Sequence, residues 1–348
     1  MNAQVTVVRC SGYEAPEVRG ALRKTFDLLG GLERIIRPGS RVFVKINHLS
    51  PSSAPERAIL THPIFTREVV RLLRELGCAV TVGDDIQDDD RSGFSLSGYR
   101  DICRETGARL INVKEEGFVE IPCPGGEVLD KVRFSRAALE AEAVVNLPKL
   151  KTHAYTGFTG AVKNAYGLIP LGDRLRYHRQ FSRIDQFSRM LLDVFCCLPR
   201  GLTIMDGIVG MEGLGPASGT PRPLGMVLAG CDAVALDTVS CAAVGIRPDD
   251  VLTTRFSRER GLGAGRLADI DILGESLAAV RVRDFKSPTV VLGALRRRSS
   301  SSIYAFIQSR MGFRPAVDRR RCTGCGECRR ICPAGAVSFR GGSGEIET

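Results

Sequence analysis

Arg41-Val-Phe-Val-Lys-Ile46, then Pro63-Ile-Phe-Thr-Arg-Glu-Val-Val-Arg-Leu-Leu-Arg-Glu-Leu76, then Ala79-Val-Thr-Val-Gly83: this succession decides the fold. The outer runs are short, apolar and rich in β-branched residues, as buried strands are. The middle run reads as a helix, with Thr61 or His62 near its N-cap and Gly77 at its C-cap. Strand, helix, strand is a crossover unit, and crossover units join parallel strands. The alternation continues in both directions. Val5 to Val8 reads as a strand, and Val18 to Leu29 has helical spacing. Tyr99 to Thr106, Arg109 to Val113 and Ala143 to Leu147 continue the pattern, and Phe181 to Cys196 is a long helix. Thr203 to Met205, Met226 to Ala229, a helix from Ala233 to Val244 and Asp271 to Leu273 complete it. The expected fold class is α/β, a mostly parallel sheet with helices on both faces.

Several of these strands run into dense polar blocks, and ligands of open α/β sheets gather outside the carboxyl ends of the strands. The first block is Lys45-Ile-Asn47-His48. Thr61-His62-Pro63 is the second, at a helix start where free backbone amides favour anions; a routine cap explains it equally well. The richest is Asn146-Leu-Pro148-Lys149-Leu-Lys151-Thr-His153, followed by Thr159-Gly160-Ala-Val-Lys163-Asn164 and Gly167. Three lysines, a histidine and two amides stand there without an acidic residue, which predicts an electropositive site for an anion or carboxylate. Lys45, Asn47, His62, Lys149, Lys151 and Asn164 are the expected substrate-binding residues. All four histidines (His48, His62, His153 and His178) lie in or beside these blocks, which favours acid–base or ligand roles. A further block, Met205-Asp206-Gly207-Ile-Val-Gly210-Met-Glu212-Gly213-Leu-Gly215-Pro216-Ala-Ser218-Gly219, reads as a glycine-rich active-site segment after a strand. Its spacing is neither a P-loop nor a dinucleotide fingerprint. His153, Lys163, Asp206 and Glu212 are the expected catalytic groups. Asp232 reads as the N-cap of the helix after it.

Near the carboxyl end, Cys322-Thr-Gly-Cys325-Gly-Glu-Cys328-Arg-Arg-Ile-Cys332-Pro333 has the ligand spacing of a ferredoxin-type iron–sulfur loop. Gly324 and Gly326 let the backbone wrap a cubane corner. Four free thiols or a zinc knuckle are the plainer readings, but zinc ligands come as two pairs across a longer spacer. A 4Fe–4S cluster on Cys322, Cys325, Cys328 and Cys332 is therefore expected. In two-cluster ferredoxins the fourth cysteine serves the other cluster. Only one such run is present, so Cys332 closes a single cluster, or another cysteine or another chain completes the set. The tail after it reads as strand, glycine turn, strand.

The 348 residues are 43% apolar and 25% charged, an ordinary globular composition. No apolar run approaches the ~20 residues of a membrane span, and the longest, Met190 to Leu198, is broken by Asp193. The start lacks the basic and apolar regions of a signal peptide. Twelve cysteines without an export signal point to a reducing cytoplasm. The formal net charge is +10, and between Lys286 and Arg330 eleven Lys or Arg face only Asp318 and Glu327. This basic collar (Arg296 to Arg298, Arg310, Arg314, Arg319 to Arg321, Arg329 and Arg330) is either a solubilising linker or a steering surface for an acidic redox protein. Nucleic acid is disfavoured, because stacking aromatics are scarce there. The expected organisation is an α/β domain at 1–294, a basic Ser/Arg linker at 295–312 and a ferredoxin-type half-module at 313–348. Oligomeric state is not legible.

Taken together, the blocks resemble DUF362, a family of bacterial and archaeal domains often fused to a ferredoxin-like 4Fe–4S segment. The resemblance rests on Val44-Lys45-Ile-Asn47, Thr61-His62-Pro63, Val82-Gly83-Asp84 and Asn146 to His153. It continues through Thr159 to Asn164, Asp206-Gly207-Ile, Met211 to Pro216 and Cys231-Asp232-Ala-Val-Ala-Leu-Asp237. It covers about residues 5 to 290 in order. One cysteine run stands here where two are often seen. Two function classes follow. One is an iron–sulfur redox enzyme acting on an anionic small molecule, with the cluster as electron relay. The other is a non-catalytic electron-transfer or accessory protein docking an acidic partner. Polar residues concentrated at strand ends, with no tryptophan and 6% aromatics for an interface, favour the enzyme.

Overall fold

A computed structural model describes residues 2–49, 54–86, 92–199, 201–288, 322–330, 337–340 and 343–346. The chain divides into two units, Met1–Leu292 and Gly293–Thr348. The strands of the first are β1 (Ala3–Arg9), β2 (Arg41–Lys45), β3 (Ala79–Asp84), β4 (Arg109–Asn112), β5 (Phe118–Pro122), β6 (Lys131–Ser135), β7 (Ala143–Asn146), β8 (Lys149–His153), β9 (Gly157–Thr159), β10 (Gly201–Glu212), β11 (Thr220–Gly230) and β12 (Ile270–Gly274). The helices that matter are α1 (Ala15–Leu28), α2 (Pro63–Glu75), α3 (Tyr99–Thr106), α4 (Ala161–Asn164), α5 (Leu171–Gln180), α6 (Ile184–Phe195) and α7 (Ala233–Ala243).

The main sheet has the order β12-β1-β11-β10-β7-β2-β3-β4, with β8 beside β10 and β9 beside β8. Neighbours are parallel except where β11 meets β1 and β10 and where β9 meets β8. The expected mostly parallel α/β fold is what forms. Because side chains alternate along a strand, each strand feeds two cores. Val42, Val44, Val80 and Val82 meet Val18, Leu22, Phe65, Val69 and Tyr99 of α1, α2 and α3. Phe43 and Val144 face the other way, onto Phe187, Met190 and Leu191 of α6. Val5, Val7, Met226 and Leu228 pack beneath Leu236 and Val239 of α7. Helices thus cover both faces.

The segment Met205 to Gly219 departs from expectation. Only 213–219 is a loop: β10 extends through Glu212, with a register shift in its pairing to β11 between Gly207 and Val209. The glycines mark close backbone approach rather than a ligand cradle. A Cβ on Gly207 would stand 2.9 Å from the Met226 carbonyl oxygen, and one on Gly210 2.7 Å from that of Leu150. Likewise Lys149 to His153 is strand β8, not a polar loop.

In the second unit, β13 (Val337–Arg340) and β14 (Ser343–Ile346) pair antiparallel, as the strand–turn–strand reading expects. The linker at 295–312 and the collar residues Arg296 to Arg298, Arg310, Arg314 and Arg319 to Arg321 lie outside the described residues.

Candidate functional site

At the carboxyl ends of β2 and β3, Lys45 and Asp84 form a buried ion pair, Nζ to Oδ1 2.8 Å. The backbone of Gly167 closes over it, since a Cβ there would stand 2.6 Å from Asp84 Oδ1. Burial lowers the pKa of Lys45 and the Asp84 charge opposes that shift. Lys45 Nζ also donates to the Ile46 carbonyl at 2.5 Å.

Lys151, on β8, is equally buried but has a different environment. Its Nζ donates to Asn47 Oδ1 at 2.7 Å and to the Ile59 carbonyl at 2.5 Å, with no carboxylate among its partners. Desolvation, then the charges of Lys163 and Lys149, hold its pKa well below the ordinary lysine value. Asn47 Nδ2 donates to Asn164 Oδ1 at 3.1 Å, and Asn164 Nδ2 donates to Asn146 Oδ1 at 2.7 Å. A chain of amides therefore links β2, β7 and α4.

Lys163 and Asn164 ride on α4, whose first amides are held by a carboxylate from α7. Asp237 accepts from Ala161 N at 2.6 Å and Val162 N at 3.0 Å. Burial pushes the Asp237 carboxyl up to about 7 against those two bonds. Gly160 makes room, because a Cβ there would meet Asp237 Oδ1 at 2.1 Å. The Lys163 ammonium lies 5.7 Å from the Tyr166 ring centroid. Desolvation and the Arg174 charge bring its pKa down to about 8. Arg174, on α5, is paired with Asp85. His153 accepts at Nδ1 from Tyr155 N (3.1 Å) and Thr156 N (3.2 Å), which leaves the proton on Nε2. Burial holds the ring neutral, well below the usual histidine range.

These residues line one cavity of about 220 Å³, with His48, Thr159 and His178 also on its wall. Larger clefts of about 410 and 850 Å³ have no Lys, Arg or His on their walls, and the first lies at the amino end of β10; one of about 460 Å³ carries Arg281 and Arg283 but lies away from the strand ends. The lysine-lined cavity lies at the carboxyl ends of the strands, where α/β sheets bind ligands. It also holds unsatisfied polar atoms. His48 Nδ1, Thr159 Oγ1 and Arg174 Nε are buried without a hydrogen-bond partner among the described residues. Orphaned buried donors and acceptors are costly, and a ligand is one way to satisfy them.

Lys45, Asn47, Lys151, His153, Lys163 and Asn164 thus come together. Lys149, His62, Asp206 and Glu212 do not join them on that wall. Lys149 Nζ sits 2.8 Å from Asp206 Oδ2, directly across the β8–β10 pairing. Tyr13 accepts from Lys149 Nζ at 2.7 Å and donates to Asp206 Oδ1 at 2.8 Å. His62 caps α2, accepting from Ile64 N at 3.3 Å, and stacks on Tyr13 with centroids 3.6 Å apart. Glu212 accepts the Lys286 amide at 3.1 Å. Asp232 is the α7 N-cap, accepting from Val234 N and Ala235 N at 2.9 Å. Tyr13 has no place in the sequence reading, and Thr159 and Arg174 stand in or beside its polar blocks without an assigned role. Arg174 and His178 are four apart, a spacing that places both on one helix face and was available as a signal.

In the second unit Cys322 is half-buried and Cys325 and Cys328 are exposed, with Glu327–Arg330 helical. Gly324 and Gly326 take φ of 70° and 76°, the left-handed turns that let a loop close around inorganic sulfide. Cys332 lies outside the described residues, and among those described no three metal-ligating side chains are gathered. The cysteine spacing in the sequence and the two turns fit a thiolate-ligated iron–sulfur cluster.

Two separate stretches of the chain match known families. Residues 42–242 match the domain of unknown function DUF362, and residues 315–338 match a 4Fe–4S binding domain. A thylakoid-associated protein of Synechocystis is 29% identical over 264 residues, 75% of this chain and 81% of that protein. The lactate racemase apoprotein of Thermoanaerobacterium thermosaccharolyticum aligns with a TM-score of 0.38 at 13% identity over 66% of this chain, and a Thermotoga maritima protein with 0.37 at 14% over 63%. The chain spans only 54% and 56% of those two structures. Among the described residues no helix is long and apolar enough to cross a membrane. With most of its α/β unit matched, the chain belongs to the DUF362 family and carries a 4Fe–4S binding domain toward its carboxyl end.

Proposed function

We propose that the protein is an iron–sulfur redox enzyme whose α/β unit binds an anionic small molecule in the Lys151–Lys163 cavity. The observation that carries this reading is the convergence of Lys151, Lys163, Arg174 and His153 on one small cavity at the carboxyl ends of parallel strands, in a chain that also has a four-cysteine cluster motif. When bound, the cluster supplies or accepts single electrons. The rest follows from the side chains. Lys163 and Arg174 attract the anion, Asn47 and Asn164 fix its orientation, and the His153 Nε2–H donates to a substrate oxygen. Lys163, with its pKa near 8, is suited to hold or release a proton near neutral pH. Asp206, Glu212 and His62, expected at this site from sequence, are not used in this reading.

An acidic redox protein docking on the basic collar is a suitable electron source, and exposed Arg329 is one contact for it. A reducing, cytoplasmic setting suits both the cluster and the free thiols of the described cysteines. Its relative's thylakoid association makes a membrane-peripheral partner the place to look first.

The test is anaerobic. Protein reduced by dithionite and freed of excess reductant is mixed with a panel of reducible small anions, 2-oxo and α,β-unsaturated carboxylates that each take two protons and two electrons (one from each of two reduced clusters), and recovery of the broad absorbance near ~400 nm is followed. Reoxidation by at least one anion is expected, and its loss in Lys163→Met with the starting spectrum intact. Cys325→Ser should remove or convert the spectrum. An unresponsive wild type, or a Lys163→Met protein that responds equally, contradicts the reading.

A further inference from the structure

Resting on that cavity, we infer that its ligand is a compact dianion, a molecule with two negative charges on closely spaced oxygens such as a dicarboxylate or a phosphate monoester. The argument is charge balance. Four cationic side chains line the cavity: Lys45, Lys151, Lys163 and Arg174. Two are matched one to one, Lys45 by Asp84 and Arg174 by Asp85. Lys151 bonds only to an amide oxygen and a carbonyl. Lys163 has no ion pair among the described residues and faces the Tyr166 ring. The three histidines on the wall are neutral: His153 accepts from two backbone donors, burial holds His48 down to about 4, and desolvation with the charges of Lys163 and Arg174 holds His178 down. Lys151 and Lys163 are thus the two lysines without a counter-charge, and a ligand with two negative charges would hold both of them protonated.

Size and hydrogen bonding narrow the class. About 220 Å³ is below the ~300–1,000 Å³ typical of pockets for drug-sized ligands. The Thr159 hydroxyl and Arg174 Nε lack partners among the described residues. With the two ammonium groups and the His153 Nε2–H, they offer several donors to acceptor oxygens. A monocarboxylate leaves one lysine uncompensated. A bulky nucleotide exceeds the space.

The experiment is calorimetric titration of the anaerobically purified full chain, near pH 7, with malonate, inorganic phosphate and propionate. Malonate or phosphate should bind at least about tenfold more tightly than propionate, since one more close charge pair in a partly desolvated site is worth that much or more. Preference for malonate over phosphate, or the reverse, identifies the oxygen source. Lys163→Met should collapse the dianion preference to within about threefold, and Lys163→Arg should keep it; circular dichroism of each variant confirms folding. Equal binding of propionate and both dianions overturns the dianion and leaves the anion reading standing. No binding by any of the three overturns both. A dianion preference that survives Lys163→Met also overturns the inference.

Discussion

Lys149 and Lys151 are two residues apart on one strand, both buried, and their surroundings are opposite. Lys149 is neutralised by Asp206 and further tied by Tyr13. Lys151 is held by Asn47 and the Ile59 carbonyl and has no counter-charge among its partners. The first arrangement is complete in itself. The second lacks the counter-charge that the proposed anion would supply. A buried lysine is therefore evidence of a site only after its partner is known, and the same holds for Lys45, whose partner is Asp84.

The largest effect that separates the two is loss of the Lys149 counter-charge. Asp206→Ala leaves a buried ammonium unpaired and should destabilise the protein by about 3–5 kcal/mol in urea unfolding. Lys151→Met should cost less, about 1–3 kcal/mol, because it strands no charge but leaves Asn47 Oδ1 and the Ile59 carbonyl without their donor. Equal losses would erase the distinction. Next in size is stabilisation by ligand: at 100 times its Kd an anion such as malonate should add about 2.7 kcal/mol to the wild type and almost nothing to Lys163→Met. Thermal unfolding with and without malonate reads this directly.

These contrasts also explain what was legible from sequence and what was not. The crossover unit of β2, α2 and β3 is local, so periodicity and caps sufficed, and the cysteine spacing is local too. The carboxylates are not. Asp206 reaches Lys149 across the β8–β10 pairing from 57 positions away, so a stretch of sequence without acids was no guide to its electrostatics. The glycines at 207 and 210 read as loop because a strand interior usually excludes glycine, and what requires them is the backbone of other strands. His62 read equally as an anion ligand or as a cap because it precedes a helix, and there it caps. Lys45, Asn47 and His153 were legible because each ends or follows a strand; Lys151 lies mid-strand and Lys163 and Asn164 end the short α4, and their density in one acid-free block was the signal.

A smaller effect is in the pH dependence. Lys163 has a folded pKa of about 8, below its unfolded value near ~10.4. Between those values the unfolded chain binds more protons, so stability should rise as pH goes from about 8 to about 10 and be flat in this contribution below 8. Lys45, Lys149 and Lys151 are shifted in the same direction and add to the rise. A bound anion favours charged Lys163, so saturating malonate should reduce the slope, and malonate affinity should fall above pH 8. A slope unchanged by malonate would detach Lys163 from the anion.

The most direct test of the central claim is lysine reactivity in the folded protein. Isotopic reductive methylation at pH 8, resolved by peptide mass spectrometry, is run with and without malonate and phosphate. Lys163 should label readily and be protected by at least one of these anions, while Lys149, locked on Asp206, should stay unlabelled in every case. Labelling of Lys149 as fast as Lys163, or of Lys163 at the same rate with both anions present, would contradict the account.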